Sequence, residues 1–164
     1  MNSLSSDWQT FLSAELGALA ALTGLVVVAI SINLSRILTV ANLPSRAGES
    51  LIRLVGALVV VSVALTPNQP PILLGAEFSL IGLVTLVAPA TNQIRLWNLL
   101  EGVTSAKQLA RLAITSIASL PFVVAGGCLI LGAGGAFDWV AFGVILSLAA
   151  GVWNSWILLI EILR

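Results

Sequence analysis

Apolar residues fill this chain in five long runs separated by short polar gaps, and the runs are too long and too apolar for the core helices of a soluble domain. They predict an all-α integral membrane protein with transmembrane helices over residues 11–38, 50–66, 72–89, 109–131 and 139–163, forming a single bundle across residues 1–164. Residues 39–49 read as a connection in which Pro44 and Gly48 stop helix propagation, and the second span is short unless its helix begins near Arg46. Thr66-Pro67-Asn68-Gln69-Pro70-Pro71 is an uncharged tight turn that pairs the second and third spans as an antiparallel hairpin. Pro89 predicts a kink or an end. Beyond it, apolar residues at helical spacing from Asn92 to Val103 form either an extension of the third helix or an interfacial helix. Pro121 lies inside the fourth span, and residues 132–138 form a glycine-rich second turn.

The charged residues supply an orientation. Arg36, Arg46 and Arg53 flank the first gap, Arg95, Lys107 and Arg111 flank the third, and Arg164 ends the chain, whereas the second and fourth gaps carry no Lys or Arg. By the positive-inside rule the N-terminus is outside and the C-terminus in the cytoplasm. Seven basic and seven acidic residues give no net charge, so the basic cytoplasmic face is an asymmetry within a neutral chain, able to attract anionic lipid headgroups. Trp8 and Trp139 then fall at the outer interface, and Trp97, Trp153 and Trp156 toward the inner one, as amphipathic rings prefer.

Composition agrees: 59% of residues are hydrophobic and only 9% charged, where soluble domains carry about a quarter. The absence of histidine removes triads and imidazole-based metal sites, and the single cysteine, Cys128, lies in the apolar string Gly-Gly-Cys-Leu-Ile-Leu, where packing is its default role. No nucleophile and base stand out, so an enzyme is not expected, nor a cofactor, a metal or a nucleic-acid partner. Small residues recur at packing intervals, as in Gly17, Ala21 and Gly24, or Gly143, Ala150 and Gly151, and would let helices meet closely within the chain or between copies in a homo-oligomer.

Two features point toward function. Glu15 and Glu77 each lie within a turn or two of a span's outer end, where an ionisable group needs a partner, and they form a candidate outer polar site. Asn33 with Arg36, and Asn92 with Arg95, are i, i+3 pairs at the inner ends of their spans, forming a candidate cytoplasmic mouth or lipid-phosphate site. The same residues align in order: Ala14-Glu15-Leu16 with Ala76-Glu77-Phe78, Asn33 to Ile37 with Asn92 to Leu96, and Leu51 to Leu54 with Leu109 to Leu112. The alignment predicts two parallel-repeat hairpins plus a fifth helix.

The string Thr-Gly-Leu-Val-Val-Val-Ala-Ile-Ser-Ile-Asn-Leu-Ser-Arg-Ile-Leu at 23–38, then Leu-Pro-Ser-Arg-Ala-Gly-Glu at 43–49 and Leu-Gly-Ala-Glu-Phe at 74–78, resembles a family of small bacterial polytopic membrane proteins with no assigned activity. The resemblance implies a bacterial inner membrane and transfers no functional residue. Together these readings lead to two expectations: an oligomeric protein giving a small ion, such as a cation, or a small solute a route across the bilayer, or a non-transporting scaffold or modulator of another membrane complex.

Overall fold

The computed structural model describes residues 5–39, 43–99 and 105–163; the side chains of 95–99, 105–112, 114, 115, 154 and 157–163 lie outside the described set. These residues form six helices: α1 (Ser6–Ile32), α2 (Leu34–Thr39), α3 (Leu43–Ala64), α4 (Pro71–Leu99), α5 (Ser105–Ile130) and α6 (Ala136–Leu163). Four stretches are long and apolar enough to cross a membrane, Ser6–Ile32, Leu43–Ala64, Pro71–Ile94 and Ala136–Trp153, and α5 adds a shorter apolar piece, Ser116–Ile130. At 1.5 Å rise per residue, the 22 residues of α3 reach about 33 Å, the thickness of a hydrocarbon core.

α3, α4, α5 and α6 close into a ring in that order, and α1 lies outside it in the groove between α3 and α6. α1 buries only Leu12, Leu19 and Val26, one stripe repeating every seventh residue, so a single edge meets the ring. α3 is the central helix: it touches α1, α2, α4 and α6, and 56% of its apolar window is buried against 11% for α1. Phe78, Phe122, Leu54, Val60, Val140 and Val144 fill the middle of the ring.

Glycine sets the tightest seam. A Cβ on Gly75 would stand 2.7 Å from the Gly126 carbonyl oxygen, and one on Gly82 would stand 2.9 Å from the Val123 backbone nitrogen, so α4 and α5 meet nearly backbone to backbone. α5 ends in a Schellman motif, with Gly132 at φ +66°, the Ala133 N–H donating to the Cys128 carbonyl at 2.8 Å and the Gly132 N–H to that of Leu129 at 3.3 Å.

Three boundaries differ from the sequence expectation. The first span is broken: Asn33 leaves the helical well at φ −103°, ψ 13°, and its Nδ2 donates to the Ala29 carbonyl at 2.9 Å, after which α2 restarts from the Asn33 carbonyl. α3 begins at Leu43, seven residues before residue 50, and runs through Pro44 and Gly48. A proline in a helix's first turn forfeits an N–H that would have no partner there, so Pro44 starts this helix rather than stopping it. α4 continues through Pro89 to Leu99, which makes the polar piece after Pro89 an extension of the same helix; residues 100–104 lie outside the described set.

Candidate functional site at the α3 N-terminal half

α3 runs as helix through the residues expected to form a loop. Arg46, Glu49, Ser50 and Arg53 recur at i, i+3, i+4 and i+7, so the first three turns of α3 carry one polar stripe. That stripe turns inward. Glu49 and Arg53 are each 4% exposed and Ser50 is fully buried. Across the α3–α4 seam, Gln93 donates from Nε2 to Glu49 Oε2 at 2.9 Å and Asn92 donates from Nδ2 to Ser45 Oγ at 2.8 Å, while Ser45 Oγ donates to Glu49 Oε1 at 3.2 Å. The Glu49 carboxylate is therefore gripped on both oxygens, by its own helix and by α4. Glu49 and Arg53 stand one turn apart with the carboxylate N-terminal, the favoured order for opposite charges on a helix.

A buried carboxylate, guanidinium and amide inside a helix of membrane-spanning length is an expensive arrangement, because each group gives up water that lipid cannot replace. Glu49 and Arg53 offset each other's charge, and the cluster offers donors and acceptors together. Among the described residues, no three His, Cys, Asp or Glu side chains gather as a metal site would require.

The residues singled out from sequence are distributed as follows. Glu15 is half-buried on the same face as Leu12 and Leu19, and its Oε2 is buried with no hydrogen-bond partner among the described residues. Glu77 is half-buried and accepts a 2.8 Å bond from Gln69 Nε2, which belongs to the turn before α4. α1 packs on α3 and α6 while α4 packs on α3 and α5, so the two carboxylates stand on helices with different main partners. Asn33 spends its amide on ending α1, and Arg36 is exposed in the last turn of α2. Asn92 is exposed and joins the new cluster through Ser45, and the Arg95 side chain lies outside the described set. Among the described side chains of the expected inner mouth, Asn92 is the one that meets the buried cluster. Glu49, Ser50 and Gln93 were not anticipated. The polar stripe of α3 was legible at helical spacing, but a helix started at residue 50 cuts it in two.

The described residues thus form an all-helical protein, four of whose helices have the length and composition of membrane spans, with a buried polar cluster where α3 meets α4. No family model, no curated protein and no solved structure matches the chain.

Proposed function

We propose that this is a multi-pass protein of a bacterial inner membrane, with five spans, an outer N-terminus and a cytoplasmic C-terminus, that self-associates and gives a small ion or solute a route across the bilayer. The observation that carries the proposal is the burial of Glu49, Arg53 and Gln93 within the helix ring, since ionisable groups inside a span ordinarily serve a path or a binding site. This burial supports a route inside each ring of α3 to α6. The cluster lies at the end that the positive-inside rule assigns to the cytoplasm, and Gln69 with Glu77 marks the other end. Exposed Arg36 is suited to an anionic lipid headgroup at the inner face. Tandem duplication of a hairpin belongs to the same proposal, with residues 11–66 expected to superpose on 72–131 about the membrane normal; the break at Asn33, against the unbroken helix at Asn92, is a difference that has arisen between the copies.

Flux into proteoliposomes is the test. Purified protein should raise the entry of at least one small ion or solute above protein-free vesicles, and Glu49→Gln should reduce it while the oligomer elutes unchanged. The second reading, a scaffold or modulator without transport, is favoured by the packed apolar layer of Phe78, Phe122, Val140 and Val144 between the two polar ends. A parent protein with no flux for any tested species would decide for it.

A further inference from the structure

Among the described serines, two sets contrast. Ser31, Ser62 and Ser155, on exposed or half-buried positions, each donate to the carbonyl four residues earlier at 2.8 Å, the usual way for a helix to satisfy a serine in lipid. Ser50, Ser119 and Ser147, on three helices of the ring, are 0%, 1% and 0% exposed, and none of their hydroxyls has a hydrogen-bond partner among the described residues. Thr23 on α1 is a further case, outside the ring. Leaving such a group unpaired inside a protein is costly, so the inward-facing serines are poised for something the ring can take up.

Packing contacts fix the heights of these groups. Phe122 lies against Gly82 across the α4–α5 seam and against Gly143 across the α5–α6 seam. One turn from Phe122 toward the start of α5 is Ser119. Since α4 and α6 run opposite to α5, the matching step is Gly82 to Thr85 on α4 and Gly143 to Ser147 on α6. Thr85, Ser119 and Ser147 therefore share one level of the ring, and Thr85 also touches Gly56 of α3 there. Thr85 Oγ1 donates to the Gly82 carbonyl at 3.0 Å and keeps acceptor capacity, while Pro89, having no N–H, leaves the Thr85 carbonyl without its helical partner. The level holds donors and acceptors but no formal charge from these three residues.

Charge lies about one turn from Gly56 and further along α3: Arg53, then Glu49, both buried and opposite in sign. An ion held at this level would give up its hydration shell to hydroxyl and carbonyl groups alone, since the nearby charges of Arg53 and Glu49 offset each other, whereas an uncharged guest loses far less on leaving water. We propose that the level of Thr85, Ser119 and Ser147 is a binding site for a small uncharged hydrogen-bonding solute, of the size and chemistry of water, urea or glycerol, and that such a solute is what the route carries. This rests on the transport reading above and narrows it to neutral solutes.

Stopped-flow light scattering on proteoliposomes tests the site with urea and glycerol gradients, alongside Na⁺, K⁺ and Cl⁻ flux from entrapped indicators. The parent should speed urea or glycerol entry over protein-free vesicles without raising ion flux. The double variant Ser119→Ala and Ser147→Ala, which removes unpaired hydroxyls and so should fold as the parent does, is expected to lower that entry about tenfold. Ser62→Ala, an outward self-bonded serine, should leave it unchanged. Ion flux without urea or glycerol entry would overturn the neutral-solute site and leave a route standing. No flux of any species would overturn both. Urea or glycerol entry that is indifferent to the double variant and to Thr85→Val would place the solute elsewhere and overturn the site.

Discussion

Adjacent glycines on α5 give a matched pair for testing how the bundle is held. A Cβ on Gly126 would collide with Ser79 Oγ and the Gly75 carbonyl oxygen and would stand 2.8 Å from the Ser79 backbone nitrogen; one on Gly127 would meet nothing within 4 Å. Two of the three obstacles at Gly126 are α4 backbone atoms, which no rotamer change can move aside. Gly126→Ala therefore has to push α4 and α5 apart by about 1 Å along their shared seam, and a gap of that size forfeits roughly a quarter to a half of each dispersion contact it opens. Overpacking of this kind costs about 1–3 kcal/mol, offset by up to about 1 kcal/mol from the better helix propensity of alanine. Gly127→Ala receives the offset without the collision.

The expected result is that Gly126→Ala is destabilised by about 1–2 kcal/mol and Gly127→Ala is neutral or stabilised by up to about 1 kcal/mol. Unfolding of purified protein in mixed micelles titrated with SDS, followed by circular dichroism, resolves a difference of that size. Equal stability of the two variants would refute the backbone-to-backbone account of the α4–α5 seam, because residue type, helix and neighbourhood are otherwise shared.

Further outcomes follow from the same geometry. Gln93→Leu removes the 2.9 Å donor to Glu49 Oε2 and should destabilise the protein by about 1–3 kcal/mol in the same SDS titration, with Asn92→Ala, on an exposed residue, costing less. Gly132→Ala puts a side chain at φ +66° and should cost about 1 kcal/mol through strain alone, since its Cβ would meet no neighbour. Asn33→Leu should let α1 and α2 join, and spin labels at Leu25 and Leu38 should move apart toward the roughly 20 Å of a continuous helix; an unchanged separation would assign the break to something other than the Asn33 amide. In a background with Cys128 replaced, cysteines at Asn68 and at Thr39 should be labelled from opposite faces of inverted and right-side-out vesicles, Asn68 from the outside; reversed labelling would overturn the proposed orientation.

Hydropathy and turn chemistry made the helices readable, including the hairpin turn at residues 66–71 and the glycine-rich one before α6. What misled was a local rule applied without its position. Pro44 and Gly48 made residues 39–49 read as a connection, yet proline is harmless in a first turn and charge is tolerable on a face that another helix covers. The same error hid the site. Once α3 is started at residue 50, Glu49 becomes a loop residue and Arg53 a topology marker, although the two are one turn apart on a buried face. Gln93 could not have been found by spacing at all, because its partner is 44 residues away and the pairing exists only when α3 and α4 meet. Glu15 and Glu77 attracted attention for depth alone, and depth does not say which neighbour a carboxylate faces.

The position of α3 follows from the same physics that placed its charges. In water a helix bearing Arg46, Glu49, Ser50 and Arg53 would turn that stripe outward; in lipid the outward face has no donor or acceptor to offer, so the stripe must be covered by other helices. The helix with the strongest need for polar partners thereby becomes the one with the most neighbours, which is why more than half of α3's apolar window is buried, while α1, uncharged from residue 16 to residue 32, stays on the rim with most of its surface free. Gln93 and Asn92 lie on an adjoining helix because α4 is the neighbour that covers this end of the stripe, and their amides can both give and accept. On the proposed transport reading, polarity concentrated inside the ring, rather than at its lipid-facing edge, would let one chain hold a polar guest without help from a second.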